Sequence, residues 1–385
     1  MDEFLPGWTV AREIPPDVVD GVNRGVYQVH GGVIRMAPGA AGAGRIVRHL
    51  IPARQDPNVP FGGFLNLPLA STEHLLQMAT GAMVLSSLNL AVSAVGFAVL
   101  YKKLTDLDKS LTAMAKKVEG IARLLELEEK AKLASALKTL SMVMKGGALD
   151  SRKQQLLNER LLNAVLNVFG PVNMKYRELL PAAESETAMA CQGYFALTSL
   201  ATAACHAELG MARMAKDYLD DDCAFWAQQA RRIAGDLLGE HPERFVAGEF
   251  VSEVSLREVA AWRNFAADED RSEPERIDEL RNRIRLSTNK GGGLIAIPLL
   301  GKDDPAAVAK TIEADKQGTI PALRELVARH GVFRGYADQY ALLDENGMTP
   351  SEFQRRVDAL DREMLVDGYV ILEPTQADLE TRPTR

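Results

Sequence analysis

Hydrophobic and polar positions change rhythm several times along the chain. From Val22 to about Arg54 the runs are short and β-prone: Gly25–His30, Gly32–Met36 and Arg45–Ile51, split by Gly31-Gly32 and by the turn from Pro38 to Gly44. A linker marked by proline and glycine, Pro57 to Pro68, leads out of this unit. Then Leu75 to Tyr101 carries no charged residue at all. Apolar positions next recur at Phe97, Leu100, Leu104, Leu107, Leu111, Met114, Val118, Ile121 and Leu125, in steps of three and four. That spacing is a heptad seam.

Downstream, helical periods predict one helix over Ser151–Phe169, ended by Gly170-Pro171, and another from Ser185 to about Leu238. The second opens with another uncharged stretch, Thr187–Ala207, broken only by His206. Shorter helices are expected at Ser255–Phe265, Glu273–Leu286, Pro305–Asp315 and Pro321–His330. A last helix starts at the capping box Thr349-Pro350-Ser351-Glu352, and Gly368–Leu372 reads as a strand. The fold class expected is mainly α: a small β unit, a long-helix bundle with a coiled-coil seam, and a mixed, mostly helical C-terminal region. The divisions fall at residues 1–68, 69–240 and 241–385.

The segment Leu75–Tyr101 supports two readings. Leu85, Leu88, Val92, Val95 and Val99 form an apolar stripe suited to face lipid. Ala82, Ser86, Asn89, Ser93 and Gly96 make a small and polar stripe suited to close helix packing. Its length exceeds the ~20 residues needed to span a bilayer, while Gln77, Thr80, paired serines and Asn89 temper its hydropathy. A helix apolar on nearly all sides must be enclosed, by lipid or by protein. In outline the layout resembles α-helical pore-forming proteins, in which a sheltered apolar helix is attached to long coiled-coil helices. That resemblance implies a transmembrane helix and assembly into an oligomer. The seam Leu104, Leu107, Leu111, Met114, Val118, Ile121 and Leu125 would guide such assembly, or would pair within the chain against Leu156, Leu157, Leu161, Leu162, Val165 and Val168.

Charge refines the picture. The net charge of −7 gives no general reason to expect nucleic acid. Locally, every charged side chain between Asp20 and Asp56 is arginine: Arg24, Arg35, Arg45, Arg48 and Arg54. With Lys102 and Lys103 after the apolar segment, these form a candidate surface for an anionic bilayer. Aromatic residues for base stacking are nearly absent there, which argues against single-strand recognition. The three cysteines, Cys191, Cys205 and Cys223, are odd in number and form no C-x-x-C pair, so they read as reduced and apolar. The start MDEFLPGWTV lacks the basic and apolar regions of a signal peptide. The expected location is cytoplasmic, with association with or insertion into the inner membrane.

Candidate chemistry mostly fails on spacing. Asp217, Asp220 and Asp221 share a helix face, with Asp222 adjacent, but no convincing second acidic cluster faces them to complete a Mg²⁺–diphosphate site. Gly301-Lys302 lacks both the first glycine and the Ser or Thr of a phosphate loop. The histidines show no metal-type spacing, and Cys205 and His206 are helix neighbours that point about 100° apart. No catalytic residue, metal or cofactor is expected. The function expected is a non-enzymatic, membrane-active helical protein, pore-forming-like and homo-oligomeric. The alternative is a soluble helical scaffold or adaptor, meeting a protein partner, with residues 75–101 as bundle core.

Overall fold

The computed structural model describes residues 3–30, 32–37, 39–52, 127–145, 152–183, 185–246, 250, 253–269, 271, 273–289, 305–366 and 369–375. These residues are mainly helical, and an antiparallel sheet stands beside the helices. The strands are β1 (Glu3–Leu5), β2 (Trp8–Ala11), β3 (Tyr27–His30), β4 (Val33–Met36), β5 (Ile46–Pro52) and β6 (Tyr369–Pro374), in the order β1-β2-β6-β5-β4-β3. β6 therefore lies in the middle of the sheet. It pairs Val10 with Leu372 on one side and Ile51 with Val370 on the other. A strand from the far end of the chain closes a unit built otherwise from its first 52 residues.

Side chains alternate across that sheet, as strand geometry requires. Tyr369 and Ile371 join Ile34, Leu50 and the valines of α1 (Pro16–Asn23) on one face. Val370 and Leu372 join Trp8, Val10 and Ile51 on the other, inside the main core. Buried on both faces, β6 reads as a continuous apolar run. The sheet is thus a middle layer, with α1 outside it and the helical body within.

That body contains α2 (Leu127–Lys145), α3 (Arg152–Leu179), α4 (Ser185–Glu208), α5 (Ala212–Leu238), α6 (Leu256–Ala267), α7 (Glu273–Asn289), α8 (Pro305–Ala314), α9 (Ile320–Glu345) and α10 (Pro350–Asp358). Helix α4 is its axis. From Cys191 to Cys205 every residue of α4 is buried. The uncharged stretch that opens this helix is enclosed by protein, chiefly by α3 and α5.

Two expected boundaries move. Helix α3 does not stop at Gly170-Pro171 but runs on to Leu179. A proline inside a helix leaves one carbonyl without its donor. Pro171 sits on the exposed side, where water can take that carbonyl, and Phe169, Val172 and Tyr176 bury the opposite side. Conversely, the single helix expected from Ser185 to Leu238 is two helices. Gly210, at φ +76°, turns the chain, and the amides of Gly210 and Met211 donate to the carbonyls of Ala207 and His206. This glycine-terminated cap satisfies the last carbonyls of α4 and reverses direction.

Both capping boxes that open helices in the C-terminal half are formed. Glu258 and Glu352 donate their backbone N–H to the hydroxyls of Ser255 and Thr349, and their carboxylates accept from the backbone N–H of those residues. Arg276 is almost wholly buried between α6 and α7, donating to Asn264 Oδ1 and Glu269 Oε2 at 2.7 Å each and also to Glu279.

Candidate functional site

The stripes read for membrane contact, Leu85, Leu88, Val92, Val95 and Val99, lie outside the described residues. So do the packing stripe Ala82, Ser86, Asn89, Ser93 and Gly96 and the seam from Leu104 through Leu125. Among the described residues no helix is long and apolar enough to cross a membrane. The expectation of a membrane protein with a transmembrane helix is corrected accordingly, and the pore-forming-like reading falls with it. Helix α4 carries the physical reason: an uncharged stretch can be enclosed by neighbouring helices as completely as by lipid.

The arginines of the β unit take different positions. Arg24 and Arg45 are exposed. Arg35, on β4, donates from Nε to Asp338 Oδ2 of α9 at 2.9 Å, and a second guanidinium nitrogen meets the other carboxylate oxygen. Burial pushes the Asp338 carboxyl above its usual range, and the Arg35 guanidinium pulls it back. This fork ties the sheet to the helical body. Arg48 pairs with Glu373 at 2.8 Å across β5 and β6. Arg54, Lys102 and Lys103 lie outside the described residues.

The aspartate cluster resolves into two roles. Asp217 and Asp220 lie on the outer side of α5, where Asp220 meets Lys216 at 2.6 Å. Asp222 turns inward and is buried. Asn173 of α3 donates to Ser199 Oγ at 2.8 Å and to Asp222 Oδ2 at 3.2 Å, with Thr198 Oγ1 at 3.3 Å. The hydroxyls of Ser199 and Thr198 in turn donate hydrogen bonds to the carbonyls of Phe195 and Tyr194 at 2.9 Å each. At the outer edge Arg177 bridges Asp221 and Asp222 at 2.8 and 2.9 Å and lies over the Phe225 ring at 4.7 Å. Burial raises the Asp222 carboxyl, while Ser199, Arg177 and Asn173 favour its charge. Burial, with the Asp222 charge beside it, also raises the Tyr218 hydroxyl. The acid, amide and hydroxyl groups of three helices thus face one another.

Other reactive groups are sequestered too. All three cysteines are buried, and burial pushes the Cys191 and Cys223 thiols up to about 12 and the Cys205 thiol further. Thiols held this far from ionisation are poor nucleophiles. His330 sits between Trp226 and Phe265, and burial together with Arg334 and Arg231 lowers it to about 3. Among the described residues no group of three or more His, Cys, Asp or Glu could hold a metal ion.

One end of the bundle contrasts with this enclosed interior. Asn173 lies beside Ser199, and three residues on Tyr176 stacks on Tyr194 at 5.0 Å, so α3 runs antiparallel to α4. Lys175 meets Glu129 at 2.8 Å near the start of α2, and the carbonyl of Met144 near its end shares Ser351 with Glu208 at the end of α4. The start of α3, the end of α2 and the corner between α4 and α5 therefore share an end. There α3 outruns its neighbours, and residues 152–160 are exposed or half-buried. Leu156 and Leu157 stay 48% and 47% exposed. Met142, Met211 and Met214 are exposed at the same end, whereas Val26, Met174 and Leu179 lie elsewhere. The sequence marked Leu156 and Leu157 as a packing face for the seam, whose residues lie outside the described ones.

Compared with family models, curated proteins and solved structures, the chain matches none.

Proposed function

We propose that the protein is a non-enzymatic helical scaffold or adaptor that meets a protein partner, a second copy included, at the open end of its bundle. The observation that supports this reading is that Leu156, Leu157, Met142, Met211 and Met214 are all exposed toward one end of a body whose three cysteines are buried. Single exposed apolar residues are ordinary, but a group rimmed by charge marks a contact surface. Arg152, Lys153, Glu159 and Arg160 are exposed on the same turns of α3 as Leu156 and Leu157. Methionine suits such a surface, because its flexible thioether adapts to a partner's shape.

The test is site-specific photo-crosslinking of the full chain in the cells that make it. A benzophenone side chain at Leu156, Met211 or Met214 is expected to give discrete protein adducts. The same probe at Met174 or Val26 is expected to give none. An adduct of twice the chain mass identifies a second copy, and other masses identify a different protein. Equal labelling at all five positions, or none at any, would reject the bundle end as the contact surface.

A further inference from the structure

The three helix ends that meet at the open end are held by one unusual contact. Glu208, the last residue of α4, accepts from the backbone N–H of Ser351 at 3.0 Å and from its hydroxyl at 2.8 Å. Ser351 stands in the first turn of α10, and its hydroxyl also lies 3.4 Å from the carbonyl of Met144 near the end of α2. One carboxylate thus joins α4 to α10 and, through a single serine, to α2. Both hydrogen bonds fall on the same oxygen, Oε1. The other oxygen, Oε2, can carry a proton without breaking either one.

We propose that Glu208 and Ser351 form a proton-controlled catch that sets how tightly α10 is held against the ends of α2 and α4. It stands independently of the scaffold reading. Helix α10 matters mechanically because the chain runs from it, through a short 3₁₀ turn at Arg362–Met364, into the central strand β6. Loosening α10 would loosen the route from the bundle end to the middle of the sheet.

The surroundings favour the protonated carboxyl. Burial is the dominant influence and, with Glu352 on α10, pushes Glu208 up to about 7, against the Ser351 hydrogen bonds and Arg355. Among the described residues, Tyr340 on α9 and Cys205 one turn back on α4 also face it, both raised in turn by the Glu208 charge. The sign follows from linkage. A carboxyl that binds its proton more tightly in the held state than in the released one strengthens the hold at low pH, and that gain is lost as pH rises through about 7.

The experiment is hydrogen exchange on the full chain between pH 5.5 and 8.5, corrected for intrinsic rates and read on peptides covering α10. Protection of α10 is expected to fall about tenfold from pH 6 to pH 8, with peptides from the middle of α5 unchanged. Glu208→Gln keeps the acceptor oxygen and removes the proton, so its α10 protection should be flat across the range. Ser351→Ala removes one bond that favours the charged form, so the fall should move to higher pH. A merely structural contact would weaken α10 equally at every pH in both variants. Coincident profiles for wild type and Glu208→Gln, or a pH-independent wild type, would overturn the catch.

Discussion

Helix α3 (Arg152–Leu179) holds two halves that look alike in sequence and end in opposite environments. The first carries Leu156-Leu157, the second begins with Leu161-Leu162, and both have the three-and-four spacing of an amphipathic face. Leu162, Val165 and Phe169 are buried. Leu156 and Leu157 stay about half exposed, and among the described residues α2 ends at Lys145 and α4 at Glu208. An apolar stripe records that a face wants covering; whether it is covered depends on the lengths of its neighbours. In the second half, coverage is reinforced by hydrogen bonding from Asn173 and Arg177 to Asp222, so apolar packing and polar pairing both fix the helix.

The covered half should be the costly one to disturb. Phe169→Ala removes a fully buried ring from the middle of α3, and such truncations cost about 3–5 kcal/mol. Urea denaturation should show that loss with an unchanged slope. A loss under 1 kcal/mol would mean that the second half of α3 is no better packed than the first. Asn173→Ala comes next. It leaves Ser199 and Asp222 without their amide donor, a cost on the order of 2 kcal/mol for buried groups left short of a partner. Because the amide favours the charged form of Asp222, its loss raises that carboxyl further. The deficit of the variant should therefore be larger at pH 7 than at pH 4, and a deficit that grows on acidification would contradict this assignment.

How far each element could be read from sequence follows the distance over which it is determined. Strands β3, β4, β5 and β6 were all legible, since glycine turns and β-branched runs are local signals. Thr349 and Glu352 announced the start of α10 for the same reason. The place of β6 between β2 and β5 was not legible, because it rests on pairing across more than 300 residues, and the expected 1–68 unit did not include β6. Strands β1 and β2 were missed as well, although Pro6-Gly7 separates them as a turn would. At the candidate site, Asp217, Asp220 and Asp221 drew attention through their spacing. The residue that organises the interior is Asp222, and its partners Asn173 and Ser199 lie on two other helices. The uncharged pattern of Thr187–Ala207 did not show that the helices before and after it in sequence would enclose it.

The smallest effect is the sharpest test of the comparison. Leu157→Ser on the bare half removes an apolar side chain that already meets water over about half of its surface. Little burial is lost, so the stability change should lie within about 0.5 kcal/mol, the range of ordinary surface substitutions. A benzophenone at Leu156 in the same chain should nonetheless lose its adduct, because the removed leucine is part of the surface offered to the partner. Measured together, urea midpoint and adduct yield separate the two roles of one helix. A stability loss above 2 kcal/mol would mean that Leu157 is covered in the folded chain and that α3 has no open half. An unchanged midpoint with undiminished adducts would leave the face open but move the contact elsewhere on the bundle end, to Met211 and Met214.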